Sequence, residues 1–215
     1  MRVEQAAYIT RAARTHYIFD HYRDSLRGKI LDVGCDMAVL KSLLSNPDYT
    51  GIDIGGTPDI RINLETADRL PFDDRVFDCV VCADVLEHLD NLHRMFDELV
   101  RVARRDIILS LPNCWSVARV PIGRGTGSFA HYGLPAERPA DRHKWFFSLT
   151  QAVAFIDEQA RRQGLRIVEM HATEKPKFGL VRFLRRMRYP RQNAYLNRYA
   201  HTLWIRLEVP PARTP

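Results

Sequence analysis

The chain has 215 residues, of which 46% are apolar and 27% charged, and its formal net charge is +6. These are ordinary values for one globular domain, and they exclude a disordered or fibrous chain. The longest apolar runs, such as residues 107–111, are far shorter than the ~20 residues that a membrane-spanning helix needs. The first twenty residues lack the apolar core of a secretory signal. We therefore expect a cytoplasmic protein whose four cysteines form no disulfide framework.

Predicted strands and helices alternate along the first half of the chain. This alternation is typical of an α/β fold with a doubly wound (Rossmann-like), mostly parallel sheet. The last two strands predict an antiparallel C-terminal strand, which gives seven strands in all. The predicted strands are residues 29–33, 49–54, 60–64, 77–83, 106–111, 165–173 and 202–209, and the predicted helices between them are residues 37–44, 91–104 and 149–163.

The remaining segments complete a single domain over residues 1–215. Residues 1–27 contain no helix breaker and predict N-terminal helices, which precede a core over residues 28–111. Four glycines and four prolines interrupt residues 112–147, so we expect an irregular, lid-like insertion there, because long connections in compact domains are usually functional. Residues 148–215 supply a helix, a strand pair and, between the two strands, a basic insertion over residues 174–201.

The carboxyl ends of the predicted strands carry the polar residues that matter for ligand binding, because open parallel sheets bind ligands at that edge. A dinucleotide would need a glycine-rich turn after the first strand. Here Gly34 is the one glycine in that turn, and Asp32 and Asp36 would repel a pyrophosphate. Asp53, at the end of the second strand, is placed to accept hydrogen bonds from ribose hydroxyls. An adenosine with a positive charge and no phosphate fits best, as in S-adenosylmethionine.

Four segments then resemble, in order, the motifs of class I S-adenosylmethionine-dependent methyltransferases. They read LDVGCDMAVLKSLL, YTGIDI, LPFDDRVFDCVVCADVLEHL and DIILSLPN. The likeness is greatest to the small branch with an LPF…FD…EHL signature (methyltransferase types 11 and 23). It covers residues 29–113 and continues more weakly through HKWFFSL at residues 143–149 and the terminal strand pair.

The resemblance implies that residues 28–111 bind S-adenosylmethionine and release S-adenosylhomocysteine. In that family Asp53 would bind the ribose, and Ile54 would cover the adenine. One departure stands in the first loop, where Asp36 and Ala38 replace the second and third glycines of D-x-G-x-G-x-G. This change predicts weaker cofactor binding and leaves a non-catalytic cofactor-fold binding protein as an alternative. The implied cofactor-binding residues are Asp32, Gly34, Cys35, Asp53, Ile54, Asn63, Leu64, Ala83 and Asp84.

Histidines are the candidate catalytic residues, because methyl transfer to a hydroxyl benefits from a general base. His143 and His88 are favoured in that order, and His131 is a third candidate in a glycine-rich loop. Each also has a plain structural interpretation as a helix-start, packing or surface residue. We expect no metal site, because Cys79 and Cys82 would point to opposite faces of one strand.

The sequence predicts methyl transfer to a hydroxyl of a small molecule or of a glycan, including a lipid-linked glycan. N- or C-methylation of a metabolite, an RNA or a protein is the alternative. Residues 101–215 carry 21 basic and 8 acidic side chains, which indicates an anionic partner. Residues 177–191 predict an amphipathic helix that contacts an anionic membrane peripherally at its inner face. A solvated face, an anionic soluble substrate and nucleic acid are the alternatives, and nucleic acid is disfavoured because no RNA-binding module is recognisable.

Overall fold

The computed structural model describes residues 1–8, 10–45, 48–129, 131–139 and 141–211. Its strands are β1 (Arg2–Gln5), β2 (Ile30–Val33), β3 (Tyr49–Asp53), β4 (Ile60–Arg61), β5 (Phe77–Ala83), β6 (Ala103–Pro112), β7 (Arg166–Glu174) and β8 (Ala200–Glu208). Its helices are α1 (Arg11–His21), α2 (Val39–Leu43), α3 (Leu92–Val102), α4 (Cys114–Arg124), α5 (Leu149–Gln163), α6 (Gly179–Arg188) and α7 (Gln192–Tyr199), with one 3-10 turn at Leu86–His88.

The strands form a single sheet in the order β1-β7-β8-β6-β5-β2-β3-β4. β8 is antiparallel to both of its neighbours, and every other pairing is parallel. The predicted fold class is confirmed, and the seven predicted strands and the three helices predicted between them are present with ends that shift by up to three residues. The order also brings the carboxyl ends of β6, β5, β2 and β3 side by side. A ligand site is expected at that edge.

The sheet has eight strands instead of the predicted seven, and the difference lies at the N-terminus. Residues 1–27 were expected to be helical, but β1 pairs with β7 there and only α1 follows. A four-residue strand has too short a pattern to identify locally. Its hydrogen-bonding partner is more than 160 residues away in the chain, so only the folded sheet specifies it.

Apolar packing on both faces of the sheet explains its central strands. β5 has the sequence FDCVVCA, and five of its seven residues are buried. The amphipathic helix α3 places Met95, Phe96 and Leu99 against the sheet with no exposed surface, as the 3.6-residue spacing predicts. Helix α5 has a capping box between Ser148 and Gln151 and ends at Gly164 with φ +66°, which explains why its bounds were predictable.

The insertion after β6 is less irregular than expected, because it begins with helix α4. Pro121 lies inside this helix, and its missing N–H made a helix improbable from sequence. The helix is anchored by Asn113, whose buried side-chain amide donates to the carbonyl oxygens of Leu196, Asn197 and Ala200. After Gly125, the described residues up to 147 contain no helix or strand.

The basic insertion folds into α6, as predicted, and into α7, which the sequence did not reveal. Within the described residues, no helix is long and apolar enough to cross a membrane.

Candidate active site

A cavity of about 590 Å³ opens at the carboxyl ends of β2, β3, β5 and β6. Residues of α1 and of the loop that contains His131 and His143 also line it. Ten of the eleven predicted site residues line it: Gly34, Cys35, Asp53, Ile54, Asn63, Leu64, Ala83, Asp84, His88 and His143. The cavity therefore brings together residues that span 110 positions of the chain.

Asp53 ends β3 with a carboxylate that the main chain holds in place. One oxygen accepts from the Asp36 N–H at 2.9 Å and the other from the Gly55 N–H at 3.0 Å. Each oxygen keeps a further lone pair, which is what a pair of ribose hydroxyls requires. The neighbouring Ile54 is 59% exposed and lines the same cavity, so it offers an apolar surface to a flat ring.

The loop after β2 keeps left-handed backbone geometry at both positions where the resemblance expects glycine. Asp36 has φ +49° and Ala38 has φ +50°, a conformation that costs an L-residue about 1–2 kcal/mol. The carbonyl oxygen of Asp36 accepts from the Thr57 N–H at 2.8 Å. A Cβ on Gly56 would lie 2.0 Å from that oxygen, so glycine is required there. The carboxylate of Asp36 pairs with Arg11 at 3.2 Å.

Asp32 lies beneath the cavity instead of on its wall. Its side chain is buried and accepts a hydrogen bond from the Tyr49 hydroxyl at 2.8 Å. Burial raises the pKa of Asp32 from 3.8 to about 6. Its role in cofactor binding stays a prediction.

Asp84 follows β5 in a left-handed conformation with φ +51°. The Ser110 hydroxyl donates to one carboxylate oxygen, and the Arg14 guanidinium donates to the other, each at 2.5 Å. Arg14 belongs to α1, 70 residues earlier in the chain, and no sequence signal pointed to it. Helix α1 therefore covers the cavity and orients an acid at its centre.

Three histidines and a glutamate form the opposite end of the cavity. The rings of His88 and His143 meet edge to face with centroids 4.5 Å apart, and His131 stacks on His143 at 4.5 Å. Glu87 is completely buried, and neither of its carboxylate oxygens has a hydrogen-bond partner among the described residues. Glu87 was missed because a glutamate beside a helix start is normally solvated. Asp141 also belongs to this cluster, because its carboxylate contacts His88. The sequence did not reveal it, because an irregular loop brings it there.

Burial sets the charge state of this cluster. It raises the pKa of Glu87 well above its ordinary value. It lowers the pKa of His143 to about 4, with a further contribution from the two neighbouring imidazoles, and it also lowers the pKa of His88. Both imidazoles are therefore neutral at pH 7, with a lone pair available on each ring.

Residues 31–111 match a family whose sequence model is described as a methyltransferase domain. The matched stretch runs from β2 to β6 and contains the strand ends with Asp53 and Asp84. In this stretch the chain is similar to class I methyltransferase domains. Ubiquinone biosynthesis O-methyltransferase of Rickettsia typhi (strain ATCC VR-144 / Wilmington) is 29% identical over 106 residues, which covers 41% of this chain and 43% of the relative. The chain thus spans less than half of that curated relative.

Solved structures share the fold of this chain. The small RNA methyltransferase HEN1 superposes on 100% of the chain, with a TM-score of 0.59 and 19% identity, but only 27% of the HEN1 chain is covered. Magnesium protoporphyrin IX methyltransferase of Synechocystis PCC 6803, solved with bound S-adenosylhomocysteine, has a TM-score of 0.53 and 17% identity over 96% of this chain and 90% of its own. Identities this low show the fold alone.

Proposed function

We propose that the protein transfers the methyl group of S-adenosylmethionine to a hydroxyl oxygen of a small molecule or a glycan. One observation carries the proposal: eight of the nine predicted cofactor residues and the histidine cluster line the same cavity. In such a transfer the C–O bond forms as the C–S bond breaks, and the hydroxyl proton passes to a base. The protein mainly supplies proximity and alignment.

The residues at the strand ends fit S-adenosylmethionine. Asp53 has oriented oxygens with spare lone pairs for the ribose, and Ile54 offers an apolar contact for the adenine. Asp36 and Asp84 also line the cavity, but Arg11 and Arg14, which pair with them, line it too. Asp53, held by main-chain N–H groups, is therefore the carboxylate offered to the cofactor. The cofactor supplies the methyl group when it is bound, while the chain binds it, orients it and accepts the proton from the acceptor.

His143 and His88 are the proposed proton acceptors. The ring nitrogens of both residues lie at the acceptor end of the cavity, and both imidazoles are neutral at pH 7. The low pKa of His143 makes it a weak base on its own, so the transfer needs a further contribution at this end. The name of the Rickettsia typhi relative, an O-methyltransferase, supports an oxygen acceptor over a nitrogen or carbon acceptor.

Isothermal titration with S-adenosylmethionine, S-adenosylhomocysteine and NAD tests the cofactor half. We expect micromolar binding of the first two and none of NAD. Asp53→Ala should weaken binding by on the order of 1–3 kcal/mol, roughly 5- to 150-fold, because buried ribose hydroxyls lose their partner. The exposed Asp73 provides the matched control, Asp73→Ala, which should bind as the wild type does. Equal binding by Asp53→Ala would show that the site is misplaced.

Transfer of labelled methyl groups to the small-molecule fraction of a cell extract tests catalysis. Labelled product from the wild type supports the proposed reaction. Cofactor binding without any transfer to small molecules, RNA or protein would favour the alternative of a non-catalytic binding protein.

We also propose that helix α6 places the protein on an anionic membrane surface. The spacing of its apolar residues is helical, and their exposure is 57–70% for Leu180, Phe183, Leu184 and Met187. These residues form an exposed apolar stripe along α6, and a stripe of this kind indicates a partner that buries it. The sequence contains no acid between Glu174 and Glu208, and this charge matches an anionic bilayer.

Two arginines of α6, Arg182 and Arg185, pack against the protein body, so the apolar stripe points outward, while Arg186 and Arg188 stay exposed. Arg182 pairs with the buried Glu174 at 3.0 Å. Arg185 lies over the ring of Tyr199 at 4.3 Å. These contacts fix the helix in an orientation that offers its apolar face to a membrane.

Co-sedimentation with vesicles of anionic or zwitterionic phospholipid tests this contact. We expect salt-sensitive binding to the anionic vesicles and its loss in the double variant Leu184→Asn, Met187→Asn. Leu134 is fully exposed outside α6, so Leu134→Asn is the matched control and should bind normally. Undiminished binding by the double variant, or a preference for an RNA oligonucleotide over the vesicles, would refute the membrane proposal.

A further inference from the structure

The hydrogen bonds of His88 and His143 determine which ring nitrogen of each is free. The Tyr132 hydroxyl lies 3.0 Å from Nδ1 of His143, 2.9 Å from Cys114 Sγ and 2.9 Å from the Trp145 carbonyl oxygen. Because the carbonyl oxygen can only accept, we assign the hydroxyl hydrogen to it, and His143 then donates from Nδ1. Nδ1 of His88 lies 2.6 Å from a carboxylate oxygen of Asp141, off the ideal hydrogen-bond line. In both rings Nε2 keeps its lone pair.

These two lone pairs converge on one carboxylate oxygen. Oε1 of Glu87 is 3.8 Å from Nε2 of His88 and 3.9 Å from Nε2 of His143. Both distances are too long for a hydrogen bond, so no proton links the three groups. Three electron-pair donors thus face one another in a buried place, and the carboxylate lacks any hydrogen-bond partner in the described part of the chain. An unpaired buried carboxylate is costly, and a cation among the three donors would stabilise all of them.

The spacing suits a metal ion. Metal bonds to imidazole and carboxylate of about 2.1 Å place tetrahedral ligands about 3.4 Å apart. The separations from Oε1 exceed this by about half an ångström, which a small side-chain rotation removes. The ligand nitrogens of His88, His131 and His143 all lie within 4.8 Å of one another, so His131 becomes a further ligand once its ring rotates out of its stack on His143.

The surroundings of the three donors hold them in position. The contacts of Asp141 and Tyr132 with Nδ1 are of the kind that orient metal-binding histidines. The N–H groups of Lys144 and Trp145 both donate to the main-chain carbonyl oxygen of Glu87. The loop that carries His143 is therefore fixed to the residue that carries the carboxylate.

A second group of histidines and acids, the edge cluster of Glu4, His21, Glu169 and His171, provides a contrast. There the Tyr17 hydroxyl bridges Glu4 and His171 at 3.0 and 2.7 Å, and His21 contacts Glu169 at 2.9 Å. Arg2 pairs with Glu4 at 2.9 Å, and Glu169 also lies 3.0 Å from Nδ1 of His171. Oε1 of Glu4 and Nδ1 of His171 make no aligned hydrogen bond, but each carboxylate of the cluster has a hydrogen-bond or ion-pair partner, unlike Glu87. The edge cluster therefore serves as an internal control.

We infer that Glu87, His88 and His143 bind a divalent transition-metal ion at the acceptor end of the cavity, with His131 as an additional ligand. Two or three imidazoles with one carboxylate suit Zn²⁺, Co²⁺ or Mn²⁺. The inference rests on the proposed function and refines it: with the ion bound, His88 and His143 would act as ligands instead of proton acceptors. The ion would bind the acceptor oxygen beside the methyl donor and favour release of the hydroxyl proton to solvent. It differs from the sequence prediction of no metal, which considered only the two cysteines of β5.

Titration of the chelator-treated full-length protein with ZnCl₂ alone, by calorimetry, tests the inference. We expect one Zn²⁺ per chain, with binding weakened at least tenfold in Glu87→Gln and in His143→Asn. His21→Asn alters the edge cluster and should leave Zn²⁺ binding unchanged. Absence of binding by the folded wild type, full binding by Glu87→Gln, or loss of binding in His21→Asn would each overturn the inference.

Titration with CoCl₂ supplies a readout that does not depend on the stability of a variant. Bound Co²⁺ should give visible d–d absorption without the intense thiolate band of a cysteine site. A thiolate band, or no spectral change, would contradict the assignment. Calorimetry with S-adenosylmethionine is run separately, so failure of the cofactor proposal and failure of the metal inference give different results.

Discussion

The buried Asp32 allows a stability prediction with a defined pH dependence. Its pKa of about 6 in the fold exceeds the ordinary 3.8, and that difference corresponds to about 3 kcal/mol. The folded protein therefore binds the proton on Asp32 more tightly than the unfolded chain does. Stability is therefore greatest below pH 3.8, falls as the pH rises to about 6, and stays reduced above it. About 2 kcal/mol of the loss lies between pH 4.5 and 7.5.

Asp32→Asn removes the titrating group but keeps an oxygen that can accept from the Tyr49 hydroxyl. Relative to the wild type, the variant should gain about 2 kcal/mol of unfolding free energy on going from pH 4.5 to 7.5. Any cost of the new amide N–H₂ is the same at both pH values and cancels in this comparison. Urea unfolding at the two pH values measures the effect, and Asp73→Asn is the exposed control. A variant effect that does not change with pH, or that changes in the opposite direction, would refute the reasoning.

Three further substitutions test the loops that shape the cavity. Ala38→Gly should raise the unfolding free energy by about 0.5–1 kcal/mol in urea, because relief of the left-handed conformation outweighs the extra chain entropy of glycine; a loss of stability would contradict this. Gly56→Ala should weaken S-adenosylmethionine binding in calorimetry at least tenfold, because the new Cβ displaces the Asp36 carbonyl; unchanged affinity would argue against a rigid loop. Asn113→Leu should cost on the order of 3 kcal/mol in urea unfolding, since buried carbonyl oxygens lose their shared donor; a neutral effect would show that Asn113 is no anchor.

The sheet and the cofactor half of the site were predictable because their signals are local. β5 is a continuous apolar run, α3 repeats every 3.6 residues, and the acids at the strand ends follow directly from the strand bounds. Ten of the predicted site residues consequently line one cavity. The exception, Asp32, has the expected position in the sequence but points into the packed layer beneath.

The features that the sequence did not reveal depend on contacts between distant segments. β1 exists because β7 offers a free edge, and α4 tolerates Pro121 because Asn113 fixes its start. Arg14 acquires its role only when α1 folds over Asp84. Glu87 is adjacent to a predicted catalytic histidine, yet its burial results from the later loop that closes over it.

The two N–H groups that donate to the Glu87 carbonyl have a consequence for how a protein with the proposed function could change its acceptor. Both contacts use main-chain atoms, so they persist whatever side chains occupy residues 144 and 145. The stretch between α4 and these contacts can then gain, lose or exchange residues while the methyl-donor half keeps its shape. In the proposed function, substrate range and cofactor binding would then be separately adjustable properties of one polypeptide.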